Sequence, residues 1–129
     1  MDEAAFKRGA ELLRKMTAGK DEELRRTWHD LAPEFEQYVV SFVAGEIWSR
    51  PGLPLKTRSL VTVAAVAALG RREALTLNLR MALNNGATRR ELVETLLQIA
   101  PYAGFPACWE ALTVLQTVAP APKSAREPE

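Results

Sequence analysis

The stretch LVTVAAVAALGRREALTLNLRMALNNGATRRELVETLLQIA, Leu60 to Ala100, decides the fold. Its opening, together with the residues from Lys56, is rich in Ala and Val on most faces, and Gly70 stands where a helix C-cap favours a left-handed residue. Leu75, Leu79, Ala82 and Leu83 then recur at helical spacing between Arg72 and Asn84, and Asn85-Gly86 suits a second left-handed exit. Thr88-Arg-Arg-Glu91 spells a capping box, in which hydroxyl and carboxylate each satisfy the other residue's backbone N–H. It opens a helix whose Val93, Leu96, Leu97 and Ala100 face inward. The β-branched residues fall inside these helical patterns and not in alternating runs bounded by turns, so the fold class is all-α.

Towards the N-terminus, Phe6, Ala10, Leu13 and Met16 or Thr17 predict a helix over about Glu3 to Thr17, ended by Ala18-Gly19. A shorter helix is expected from Glu22 to His29. Pro33 fits the first turn of a third helix, whose stripe is Phe35, Val39, Phe42 and Val43 and which ends near Gly45. Glu46 to Leu55 contains two prolines and a glycine and reads as a loop, a common place for function. Beyond Ala100, Pro101 and Pro106 interrupt the chain, and Ala107 to Val118 reads as the last helix. The domain thus spans 1–119, and the polar, proline-rich 120–129 reads as a disordered tail.

Seventeen Lys and Arg against sixteen Asp and Glu leave no global field for nucleic acid or an anionic membrane. The basic pairs Arg71-Arg72 and Arg89-Arg90 sit beside Glu73 and Glu91 and read as solvated charge. A lone cysteine, Cys108, supplies no disulfide and no CxxC site, and reads as a small packing residue. One histidine argues against a metal site, and His29 reads as a surface residue without a catalytic role. The opening MDEAAFKRG lacks an apolar core after a basic start, and the longest apolar run, about ten residues, falls short of the roughly twenty that span a bilayer. A cytoplasmic protein is expected. Leu77 and Met81 add a second apolar side to the helix over 72–84, which predicts a homo-oligomer.

The motifs GEIWSRPGL, KTRSLVT, ALNNG and YAGFPA occur in this order between Gly45 and Ala107. With the preceding Phe35 to Phe42 stretch, they make residues from about 33 to 118 resemble the carboxymuconolactone decarboxylase family, in particular its decarboxylase branch of aromatic catabolism. The resemblance implies a helical bundle of the alkyl hydroperoxidase D-like type, assembled as a homo-oligomer, commonly a trimer or hexamer. Thiol peroxidases of the same superfamily carry a Glu, a CxxC pair and a His; those positions here are Ser59, Arg71, Ala74 and Asn78. A peroxidase is therefore disfavoured, since no redox group is retained. The decarboxylase branch keeps the His that here is Asn78, and Asn hydrogen-bonds but does not shuttle protons.

The resemblance implies a γ-lactone substrate with a carboxylate on the ring carbon beside the ring oxygen and a C=C conjugated to the carbonyl. Loss of carbon dioxide feeds the electron pair into that conjugated system, so no cofactor is needed. The protein then supplies a cationic anchor, donors for the enolate oxygen and an acid. Glu46, raised in pKa by burial beside Ile47 and Trp48, is the candidate acid, or else a helix-end carboxylate paired with Arg50. Arg58 and Arg50 are candidates for binding carboxylates through bidentate bonds. Arg58 is preferred, because a first-turn cation gains nothing from the helix dipole. Asn78 either donates to the enolate oxygen or bonds a neighbouring helix or subunit. Trp48 and Tyr102 either line the pocket or serve core and interface. Against this enzyme reading stands a non-catalytic or ligand-binding oligomer of the same fold.

Overall fold

A computed structural model describes residues 2–123 of the chain. These residues form seven α-helices and one π-helical segment, with no strand among them, in agreement with the all-α expectation. They fall into two compact units, Met1–Leu55 and Lys56–Glu129.

The first unit holds α1 (Glu3–Met16), α2 (Asp21–Leu31) and α3 (Pro33–Tyr38), which passes directly into the π-helical segment Val39–Trp48. Asp2 caps α1 by accepting from the Ala4 N–H at 2.9 Å. Ala18 and Gly19, with φ of 54° and 85°, end it where the sequence places its stop. The buried face is Ala5, Gly9, Leu13 and Met16, so at its start it lies one position away from the expected Phe6 and Ala10. Phe6 is instead half-buried beneath the Arg25 guanidinium, 5.1 Å from the ring centroid, and Arg25 also bonds Glu36 at 3.1 Å.

The third expected helix does not stop at Gly45. It continues in π winding to Trp48, so Glu46 and Ile47 are helical and the true loop begins at Ser49. Bonding from i to i+5 gives more than four residues per turn. Residues 40, 44 and 48 therefore share a face, and Val40, Ser41, Ala44, Gly45 and Trp48 are buried. Of the stripe expected from α-helical periodicity, Phe42 and Val43 are exposed for the same reason and Val39 is half-buried, while Phe35, exposed as well, lies in α3 before the π winding begins. The shift is anchored by small residues. A Cβ added at Gly9 would overlap the Val40 carbonyl oxygen and stand 2.9 Å from the Gly45 nitrogen. One added at Gly45 would overlap the Ala5 carbonyl oxygen and stand 2.9 Å from its carbon. Here α1 and the π segment meet backbone to backbone.

The second unit holds α4 (Leu55–Ala68), α5 (Arg72–Asn84), α6 (Arg89–Ala103) and α7 (Phe105–Val118). Val63, Leu79, Leu92, Leu96 and Leu115, all fully buried, form the centre of one apolar core to which all four helices contribute. Cys108 is part of it. Gly70 and Gly86 adopt φ of 72° and 98°, as the expected left-handed exits require. Pro101 does not interrupt the chain: it lies inside α6 near its end, where the helix continues to Ala103 without the N–H bond that residue 101 would otherwise give the Leu97 carbonyl. The break is Gly104 at φ 101°, and Pro106 falls in the first turn of α7, where an N–H has no helical partner anyway.

Arg89 is not solvated charge. Its Nε donates to the Ala119 carbonyl at 2.7 Å and a terminal nitrogen to Gln116 Oε1 at 3.0 Å, fastening the start of α6 to the end of α7. Ala121 also donates to Gln116, at 3.1 Å, so the expected tail is tied back at its beginning, while 124–129 lie outside the described residues. The Thr88 capping box forms on both sides, and Glu91 pairs not with Arg90 but with Lys56, at 2.7 Å.

The Lys56 ammonium and then the Thr88 backbone N–H hold the Glu91 carboxyl below the ordinary glutamate range. A carboxyl whose folded pKa is depressed adds stability above its unfolded pKa and loses it as pH falls through the folded value. Thermal melts from neutral to acid pH are therefore expected to fall less steeply for Glu91→Gln than for the wild type. Parallel curves would show that this pair carries no linkage. Thr88→Ala, which deletes the cap, is expected to cost about 1 kcal/mol at neutral pH.

Candidate active site

In the first unit, the end of the π segment and the turn after it place Trp48 and Arg50 on one cleft of about 630 Å³. Arg8 and Lys15 of α1 line it too, with Glu11 as the one carboxylate and Leu12, Leu53 and Pro54 as apolar flanks. Three cations thus surround a largely buried indole. The Gly45 carbonyl organises the rim: it accepts from Arg8 Nε at 2.7 Å and from the Ser49 hydroxyl at 2.6 Å. That second bond fixes the turn leading to Arg50. Such an arrangement suits a small anion with an apolar ring.

Glu46 belongs to the helical π segment and is exposed. The burial expected from Ile47 and Trp48 is absent. Ile47 is exposed as well, and Trp48 lies on the buried face, two residues along a helix pointing to different sides.

In the second unit, Arg58 is half-buried on the first turn of α4. Asn78 is half-buried in the middle of α5, and its Nδ2 donates to the Ala74 carbonyl at 2.8 Å. The amide is thus oriented by its own helix, and neither a neighbouring helix nor a subunit is needed to account for that bond. Nδ2 carries a second hydrogen for another acceptor. Tyr102 is 83% exposed on the last turn of α6, near Phe105 at 72% and Trp109 at 74%. It stands on open surface. His29 is exposed and lies 3.1 Å from Glu36, a carboxylate shared with Arg25.

Ser59 and Asn85 were not singled out for a joint role by their sequence. Ser59, at the position of the peroxidase Glu, is fully buried, and Asn85 Nδ2 donates to its hydroxyl at 2.9 Å. The bond ties the Arg58-Ser59-Leu60 motif to the Asn84-Asn85-Gly86 motif across 26 residues. A polar residue at one turn's start and another at one helix's end gave no periodic signal. Arg8 and Lys15 were likewise not singled out, since charged residues on an amphipathic helix carry no signal of a site. Among the described residues, no group of three His, Cys, Asp or Glu gathers as metal ligands, and no helix is long and apolar enough to cross a membrane.

Comparison with known proteins agrees with this architecture. The model of the carboxymuconolactone decarboxylase family matches residues 33–117. The chain is 40% identical over 118 residues to a 4-carboxymuconolactone decarboxylase of Acinetobacter baylyi, covering 91% of this chain and 88% of that one. It is 38% identical over 81 residues to a nitrosuccinic acid decarboxylase of Metarhizium robertsii, covering 63% and 57%. An uncharacterized 15.0 kDa protein of Paracoccus denitrificans is 32% identical over 112 residues, covering 85% and 84%. With the family pattern extending from α3 nearly to the end of α7, this chain belongs to the carboxymuconolactone decarboxylase family.

Proposed function

We propose that the protein is a cofactor-free carboxy-lyase that decarboxylates a carboxylated muconolactone-type γ-lactone in aromatic-compound catabolism. The observation that carries this reading is the 40% identity to a 4-carboxymuconolactone decarboxylase along nearly the whole of both chains. The two decarboxylases similar to this chain are named for substrates of one electronic type. In the lactone a conjugated carbonyl, and in nitrosuccinate a nitro group, takes up the electron pair left by carbon dioxide. Each substrate carries its own electron sink.

In the proposed reaction the bond between the ring carbon and its carboxylate breaks, and its pair enters the conjugated lactone as a dienolate. A proton from Glu46 then reaches the ring carbon beside the carbonyl, giving the enol-lactone. Arg58 and Arg50 bind carboxylates, and Asn78 donates its second amide hydrogen towards the enolate oxygen, replacing the polarising role of an imidazole. Trp48 forms an apolar wall that disfavours hydration of the departing carboxylate, and since Glu46 points to the other side of the π segment, a ring held there takes its proton from the Glu46 of an adjoining subunit. Residues 1–119 are taken as one functional domain. The protein works in the cytoplasm as a trimer or hexamer, in keeping with the exposed Phe105 and Trp109, and Tyr102 belongs to that subunit surface or to a pocket it completes.

A second reading, an oligomer of this fold that binds ligands without turning them over, is favoured by Asn78 alone. The purified chain, given 4-carboxymuconolactone and in parallel nitrosuccinate, separates the two. The enzyme reading expects enol-lactone formation well above the spontaneous rate and a higher kcat/KM for the lactone. Background rates on both, with turnover appearing in Asn78→His, would establish the second reading.

A further inference from the structure

The cleft of the first unit contains more positive charge than Arg50 alone accounts for. Arg8 and Lys15 reach it from α1, a helix outside the stretch matched by the family model, 33–117. Glu11 is the one carboxylate among the lining residues. All three cations are exposed, so the rim beside the buried indole is open to an anion arriving from solvent and presents it with positive potential.

Arg8 is also held in a particular way. Its Nε is spent on the Gly45 carbonyl, which fixes the plane of the guanidinium and leaves the two terminal nitrogens for a ligand. A carboxylate meeting that edge makes two parallel bonds, with little rotamer freedom left to lose. A role limited to stapling α1 onto the π segment would account for Nε. It would not account for Lys15 and Arg50 on the same cleft.

We infer that Arg8 and Lys15 form, with Arg50, an anion subsite that seats the carboxylate remote from the reacting carbon, while the apolar ring lies against Trp48 and Leu53. The volume, about 630 Å³, is within the roughly 300–1,000 Å³ usual for small-molecule sites. The choice of anion rests on the decarboxylase reading; the subsite itself rests on the first unit alone. Its consequence is specificity: the N-terminal helix selects lactones that carry a second carboxylate.

The test uses the full chain and muconolactone, the carboxymethyl γ-lactone that lacks the ring carboxylate and so has no carbon dioxide to lose. Calorimetric titration at low salt is expected to show binding that weakens about tenfold in Lys15→Gln and at least as much in Arg8→Gln. Arg8→Lys should fall between. The carboxamide of the probe should bind as weakly as the variants do. With the full substrate, Lys15→Gln should raise KM about tenfold and move kcat by less than about twofold. Arg8→Gln removes a bond at the α1 crossing, so circular dichroism checks its fold, and the exposed Lys15 carries the test if that variant unfolds.

Wild-type affinity retained in Lys15→Gln and in folded Arg8→Gln overturns the subsite, as does failure of the wild type to bind the probe. Charge-dependent binding without turnover of the carboxylated lactone would leave the subsite standing and remove the decarboxylase reading. Turnover unaffected by either variant would do the reverse.

Discussion

Alanine at position 9 is expected to lower the stability of the protein by about 3 kcal/mol or more, the upper part of the range for overpacking. The added methyl group would overlap the Val40 carbonyl oxygen, and the next nearest atoms at 2.9 Å, Gly45 nitrogen and Val40 carbon, are also backbone. No side-chain rotation relieves a clash between main chains. Either α1 or the π segment must move, and the Arg8 bond to Gly45 would be strained with it. Since a typical domain has only about 5–15 kcal/mol to lose, the urea midpoint should fall sharply. Gly45→Ala, which meets the Ala5 carbonyl, should behave alike. Gly52→Ala is the control: nothing lies within 4 Å of its added Cβ and its φ is not positive, so a change within about 0.5 kcal/mol is expected. Wild-type stability in Gly9→Ala would show that the two backbones do not meet as described.

Glu46→Gln is expected to reduce kcat by about 10²- to 10⁴-fold, the usual contribution of a positioned acid, while KM changes little. Gln matches the shape and removes the proton. Glu46 is exposed in the single chain, so the water exclusion that favours a neutral carboxyl has to come from bound lactone or an adjoining subunit. Retention of full kcat in Glu46→Gln would remove Glu46 from the chemistry and leave the proton to water or another group.

The second unit was largely legible in its sequence because its signals are local. Gly70, Asn85-Gly86 and the Thr88 capping box each state a helix end within a few residues, and each end is found there. The first unit was less legible. Phe42 and Val43 continue the α-helical periodicity of Phe35 and Val39 faithfully, yet both are exposed because the winding there is π. No periodic signal within 33–48 announces that change. The winding accompanies the close approach of Gly9 to Gly45, a long-range contact that two glycines alone record.

The candidate site divides along the same line. Trp48 and Arg50 were legible because they fall in a motif beside prolines, and they do share a cleft. Arg8 and Lys15 were not, since a charged helix face looks the same whether it meets water or a ligand. Asn78 stood out as the one amide among leucines, and its bond to Ala74 comes from the helix it occupies. The Ser59–Asn85 bond lay hidden because hydroxyl and amide sit at opposite ends of different helices.

Carbon dioxide release from 4-carboxymuconolactone by the wild-type chain, dialysed against chelator and supplied with no cofactor, tests the proposed reaction most directly. Release far above the spontaneous rate is expected, one carbon dioxide for each enol-lactone formed. Release at the spontaneous rate, from a folded protein that still binds the lactone, would contradict that reaction.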